Sequence, residues 1–319
     1  MMSKHSDRKV NMLPRFLVRV CGVAVIVALG LLVLVMQQES SRSISPQQNY
    51  VEKKQAVEMT SSRPTRRATE VPLVEVLAKY PHDTAAFTQG FTVVHRDNKK
   101  MFIESTGLFG ASSLRHIDIE SGQVLQQYDL PTEFFGEGVT LGPKHELVML
   151  TWKNKIGLVF DLDKTTDDKL NSFTLHREFK FETVTGEGWG ITYDGRHFIV
   201  SDGSSTIMFW DPFTMKEVRR IDVMIDDGKQ AISHINELEV AKGFIYANVW
   251  YQPYILKINP KTGAVVTIFD LSKLVADAGV DANSGAVLNG IAYDDVDDVF
   301  YVTGKLWKLV YKVRLVDPA

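Results

Sequence analysis

The chain reads as an all-β, five-bladed propeller, and three features predict it. A glycine- or glutamate-centred tetrad recurs five times, as QGFT at 89–92, EGVT at 137–140, WGIT at 189–192, NELE at 236–239 and NGIA at 289–292. The steps between first residues are 48, 52, 47 and 53, a period near 50 that marks a repeat architecture. From Val71 onward short apolar runs alternate with polar turns, and helical periodicity is scarce.

Each repeat unfolds in the same order. The tetrad is followed by a second strand: MFIES (101–105), LVMLTW (147–152), HFIVSD (197–202), FIYANVW (244–250) and VFYVTGK (299–305). A third strand then ends in an Asp- or Pro-containing turn, as in RHIDIESGQ, LVFDLDK, MFWDPFT and LKINPKTG. Small antiparallel sheets of this kind pack radially as propeller blades. The chain stops after the third strand of the fifth unit, LVYKVRL. LVEVLAK, 73–79, is therefore expected to supply the missing outer strand, closing the ring and hiding both edges. LSKLVADAG, 271–279, is expected to form one short surface helix in the fourth unit.

The propeller occupies residues 71–319, and the remainder is read from composition. Residues 1–20 form a basic cytoplasmic tail carrying Lys4, Arg8, Lys9, Arg15 and Arg19. Residues 21–36, CGVAVIVALGLLVLVM, form an uncharged run behind that basic flank, as in a transmembrane signal-anchor. No small-x-small cleavage site closes the run, so an uncleaved anchor is preferred to a removed signal peptide, which would give a secreted protein. Residues 37–70 are rich in Ser, Gln, Arg and Glu and cannot offset their ordering entropy, so they read as a flexible stem. The expected topology is single-pass type II, with the propeller outside the cytosol.

Composition excludes several function classes. At 319 residues and 45% hydrophobic the chain can bury a sizeable core. A net charge of -3 and no basic stripe argue against nucleic acid as a partner. The single cysteine, Cys21, lies in the anchor, so the propeller has no disulfide and no thiolate chemistry. No HxxxH or CxxC spacing, GxSxG elbow or phosphate loop occurs, so no cofactor and no catalytic metal are expected. The acidic turns TTDD (165–168) and DDVDD (294–298) could hold a structural calcium, although such turns are more often simply solvated.

Equivalent positions of a repeat share one radius and height. The first tetrad position reads Gln89, Glu137, Trp189, Asn236 and Asn289, and the end of the second strand reads Glu104, Trp152, Asp202, Trp250 and Lys305. A structural repeat should place similar residues at such positions. These are polar, charged or indole and they differ, as expected of a site assembled around a pseudosymmetry axis. Glu137 stands out between two glycines, with Phe134, Phe135 and Val139 beside it. Apolar walls disfavour a carboxylate and raise its pKa.

YPHDTAAFTQGF (80–91), ESTGLFGASSLR (104–115), FGEGVT, LTWK, GEGWGIT, INELE, NVW, LNGIAYD and TGKLW together resemble glutaminyl-peptide cyclotransferases of the plant and bacterial type. The resemblance spans about 73–315, in order and across all five repeats. It implies a five-bladed propeller, a monomer, and conversion of the N-terminal glutamine of peptides and proteins to pyroglutamate with release of ammonia. By resemblance, Glu137 is the catalytic glutamate. Phe87, Gln89, Phe135, Trp152, Trp189, Asn236, Trp250 and Lys305 are substrate-pocket residues. Lys305, Asn236 and Gln89 are donors suited to the amide oxygen as it becomes negative. Two readings compete with this one: a propeller glycosidase pairing Glu137 with Glu104, Glu187 or Asp202, and a non-catalytic peptide-binding propeller.

Overall fold

The computed structural model describes residues 71–318, apart from 97–98, 163–172, 226 and 282–283. Tail, anchor and stem (1–70) lie outside the described residues, as does the acidic turn 165–168. Among the described residues no helix is long and apolar enough to cross a membrane.

The propeller is built as the repeats predict, from five four-stranded antiparallel sheets. Strand β1 (Leu73–Pro81) precedes the first blade. Blade I is β2 (Thr88–Arg96), β3 (Lys99–Thr106), β4 (Ser113–Asp118) and β5 (Val124–Asp129). Blade II is β6 (Gly136–Leu141), β7 (Glu146–Thr151), β8 (Ile156–Asp161) and β9 (Thr174–Lys180). Blade III is β10 (Ile191–Tyr193), β11 (Phe198–Val200), β12 (Thr206–Trp210) and β13 (Glu217–Asp222), followed by a hairpin of β14 (Met224–Ile225) and β15 (Gln230–Ala231). Blade IV is β16 (Ile235–Ala241), β17 (Phe244–Val249), β18 (Tyr254–Ile258) and β19 (Val265–Asp270). Helix α1 (Ser272–Ala278) follows it, ending at Gly279 in the left-handed conformation at φ 66°. Blade V is β20 (Leu288–Asp294), β21 (Val299–Gly304) and β22 (Leu309–Val316), with β1 as its outer strand.

Burial explains the strand patterns. Middle strands such as β7 (ELVMLT) and β12 (TIMFW) are buried almost throughout, because both faces of a blade pack against neighbours. Outer strands such as β9 alternate exposed and half-buried residues. The core is divided into five clusters, each between adjacent blades. Phe91, Phe102 and Tyr301 join blades V and I, and Ile103, Leu114, Met149 and Phe160 join I and II. Val148, Phe198 and Trp210 join II and III; Phe209, Leu238 and Ile245 join III and IV; Tyr246, Phe269, Phe300 and Trp307 join IV and V.

The inner strands β2, β6, β10, β16 and β20 touch in ring order around the axis. A Cβ on Gly90 would lie 2.3 Å from Val139 N, and one on Gly190 would lie 2.2 Å from Asn236 O, so only glycine allows the approach. Blade IV carries Glu237 at this position, and its buried carboxylate uses the space. Oε2 accepts from Ile291 N at 2.9 Å in blade V, and Oε1 from Phe91 N at 3.4 Å in blade I. Further bonds join blade to blade: Ser105 Oγ to Glu137 O, Gly138 N to Trp189 O, Ser201 Oγ to Asn236 O and Asn289 Nδ2 to Thr88 O.

The ring closes where expected. Strand β1 pairs antiparallel with β22, from Leu73 opposite Val316 to Pro81 opposite Leu309. Removing residues 1–81 should expose the edge of β22 and lower the melting temperature well below that of a chain beginning at 71. Equal melting of the two by differential scanning calorimetry would contradict this role for β1.

Candidate active site

The expected pocket residues converge at one end of the axis. Gln89 and Glu137 begin neighbouring inner strands, and Gln89 Nε2 donates to Glu137 Oε1 at 3.2 Å. Glu137 is 4% exposed, and burial holds its carboxyl well above the usual range. Nearby Lys305 opposes that shift and the charge of Glu187 adds to it. Lys305 is likewise buried, which lowers its ammonium pKa to about 8 against the opposing pull of Glu137. Its Nζ stands 4.7 Å from the Phe87 ring centre.

An aromatic wall rises from this polar floor. Phe87 meets Phe135 edge-on at 6.3 Å, and Phe135 meets Trp152 at 5.4 Å. Trp189 and Trp250 cross at 5.7 Å and 86°. Glu187 joins the two halves, since its Oε2 accepts from Trp152 Nε1 at 2.7 Å and from Trp189 Nε1 at 2.9 Å. Phe87, Trp152, Trp189 and Trp250 are half-buried at the mouth, whereas Gln89, Glu137, Phe135, Asn236 and Lys305 are buried beneath them. Gln89 Oε1 and Asn236 Oδ1 are buried without a hydrogen-bond partner among the described residues.

The carboxylates considered as partners for Glu137 are committed elsewhere. Glu104 Oε1 contacts His82 Nε2 at 2.8 Å and accepts from Thr88 Oγ1 at 2.7 Å. The other ring nitrogen, His82 Nδ1, lies 2.7 Å from Trp307 O, so both partners are acceptors. Although burial alone would lower it, the His82 pKa is raised, by Glu104 above all. Asp202 accepts from Thr185 N at 2.8 Å and from Ser204 Oγ at 2.6 Å, fastening the loop before Trp189. Glu104 thus serves His82 and Thr88, Asp202 the loop before Trp189, and Glu187 the two indoles.

One expectation needs correction. Trp152, Trp250 and Lys305 each donate their backbone N–H to a carbonyl before the tetrad, of Phe135, His234 and Val287 respectively. In blade I the residue making this bond, to Phe87 O, is Gly107. Glu104 lies three residues earlier, outside the pocket ring. Alignment by charge concealed this; the Thr that precedes both Gly107 and Trp152 was the available signal. Gln89, expected as a donor to the substrate, gives one side-chain N–H to Glu137, and its oxygen is buried without a partner among the described residues. Also unforeseen was Phe109, which caps Phe135 at 5.4 Å and Trp152 at 6.4 Å.

In the acidic turn 294–298, Asp294 lies beside Lys100 and His95 and Asp297 beside Lys100 and Lys312, while Asp298 pairs with Lys242. His95, Asp294 and Asp295 present the only grouping of metal-capable side chains among the described residues, away from the pocket residues. The cations in contact with Asp294 argue against calcium there.

Fold and site together define a five-bladed propeller that carries a buried acid beneath an aromatic mouth. The sequence profile of the family described as Glutamine cyclotransferase matches residues 50–315. A curated glutaminyl-peptide cyclotransferase of Arabidopsis thaliana is 36% identical over 243 residues, 76% of this chain and 71% of that protein. The crystal structure of Myxococcus xanthus glutaminyl cyclase superposes with a TM-score of 0.67 at 34% identity, covering 78% of this chain and 98% of that one. The chain belongs to the glutamine cyclotransferase family, and its activity is the acyl transfer of that family.

The geometry makes Gly107 a site residue. A Cβ there would lie 2.3 Å from the Phe135 ring and 3.1 Å from Gln89 Cγ. Gly107→Ala should displace the ring that backs Glu137 and lower kcat/KM by about a hundred-fold, the scale of a ~1 Å misplacement. Steady-state kinetics checks this; an unaltered kcat/KM would show that Phe135 can shift without consequence.

Proposed function

We propose that this protein cyclises the N-terminal glutamine of peptides and proteins to pyroglutamate, releasing ammonia, with Glu137 as the single proton carrier. The observation that carries the reading is the buried Glu137 carboxyl, its pKa raised, beneath aromatic walls and beside two unpartnered acceptors. A glutamine side chain is flat and donor-rich. Its amide N–H groups match Gln89 Oε1 and Asn236 Oδ1, and aromatic walls suit its apolar stem. The names of the two relatives agree with this substrate.

The reaction is intramolecular, so the pocket need only hold the folded-back conformer. The neutral α-amine attacks the δ-carbonyl carbon and a C–N bond forms. The oxygen that becomes negative is met by the Lys305 ammonium, which is buried beside the Phe87 ring. The attacking nitrogen loses a proton to Glu137, which returns it to the departing nitrogen, and the bond to ammonia breaks. One carboxyl can serve both steps because its pKa is moved toward neutrality. No step calls on a metal or cofactor. The protein acts as a monomer, and the basic flank and uncharged run 21–36 support a signal-anchor that holds the propeller, through the stem 37–70, outside the cytosol.

Glu137→Gln should keep the fold, because a near-isosteric amide replaces a costly buried carboxyl. Turnover should fall by about 10²–10⁴-fold. Ammonia release from a glutamine-initiated peptide measures it, with EDTA present throughout. Retention of more than about a tenth of turnover would exclude Glu137 as proton carrier. Wild-type protein that releases no ammonia would overturn the substrate, and loss of activity in EDTA restored by zinc would overturn the metal-free mechanism.

A further inference from the structure

Glu187 is an acid beside the pocket that the mechanism leaves unused. One oxygen of its carboxylate receives two of the three indole N–H groups at the mouth, from Trp152 in blade II and from Trp189 at the start of blade III. Its other oxygen lies 3.6 Å from Lys153 Nζ, and that ammonium sits 3.9 Å over the Trp152 ring. The carboxylate thus holds the indole N–H of Trp152 and also pairs with the ammonium that lies over its ring.

Glu187 is itself held from behind. Thr183 Oγ1 donates to Glu187 O at 2.7 Å, and Glu187 N donates to Thr185 Oγ1 at 3.3 Å. Thr185 in turn is fastened to buried Asp202 through its N–H and its hydroxyl, both at 2.8 Å. A residue needed only for solubility would not be fixed by its backbone on both sides. Preorganisation of this kind is what a positioned acceptor requires.

From this geometry we infer that Glu187 is a positioning residue that sets the width of the glutamine slot by bracing Trp152 and Trp189 across the gap between two blades. The bracing has a second chemical effect. With these two indole N–H groups occupied, Trp152 and Trp189 offer the substrate π-faces rather than donors, which favours Lys305 as partner of the amide oxygen. The inference rests on the pocket's being the glutamine site, yet the brace exists in the free protein and can be tested there.

The test compares Glu187→Ala, which removes the acceptor, with Glu187→Gln, whose amide oxygen can still accept both indoles. For Ala, kcat/KM for a glutamine-initiated peptide should fall about ten- to a hundred-fold, mostly through KM, at an unchanged melting temperature. The near-ultraviolet circular dichroism of the free protein should change as well, because two of its five tryptophans are released. Gln should restore KM to within about three-fold and restore the spectrum. An Ala variant with wild-type KM and spectrum, or a Gln variant as defective as Ala, would overturn the brace. If wild-type protein releases no ammonia, the glutamine reading fails, and the spectra of the two variants still decide the brace.

Discussion

Everything in this molecule depends on how closely five inner strands approach one axis. Where Gly90, Gly138, Gly190 and Gly290 meet their neighbours there is no room for a side chain, and Glu237 reaches across to the blades on its far side. Since each of these residues follows directly on Gln89, Glu137, Trp189, Asn289 or Asn236, fixing one fixes the other. The floor of the candidate site is thus set by the same contacts that close the ring. Buried acids are costly unless hydrogen-bonded. Glu237 is satisfied by backbone N–H groups, whereas Glu137 has Gln89 and a neighbouring lysine.

That difference separates architecture from chemistry. Burial raises the pKa of both Glu237 and Glu137. Glu237 spends its oxygens on Phe91 and Ile291 and faces no pocket wall. Glu137 stands under an aromatic mouth, opposite a lysine whose pKa burial has brought down to about 8. A perturbed pKa identifies a functional group here only together with its surroundings.

Much of this was legible in the residues themselves. The tetrad period revealed five blades, and the unfinished fifth unit revealed that β1 closes the ring. The pocket residues Gln89, Glu137, Trp152, Trp189, Asn236, Trp250 and Lys305 emerged from repeat positions because variation at a repeated position is itself a signal. What stayed hidden depends on contacts between blades. Gly107 matters through the absence of a side chain beside Phe135, and Glu104 drew attention by a charge that serves His82. Glu187 looked like a spare acid until its two indole partners were seen. Periodicity reports which residues share a height, and says nothing of which atoms meet.

The central claim is that burial raises the pKa of the Glu137 carboxyl well above the ordinary glutamate range. It is tested most directly by infrared difference titration of wild-type protein against Glu137→Gln, the subtraction removing the contributions of Glu237 and of Glu239, whose carboxyl burial likewise pushes up, to about 8. The account predicts a carboxyl band lost in the variant that persists at pH 6, where an ordinary glutamate of pKa ≈ 4.3 has ionised. A band that has already vanished by about pH 5 would mean an unperturbed Glu137 and would contradict the account.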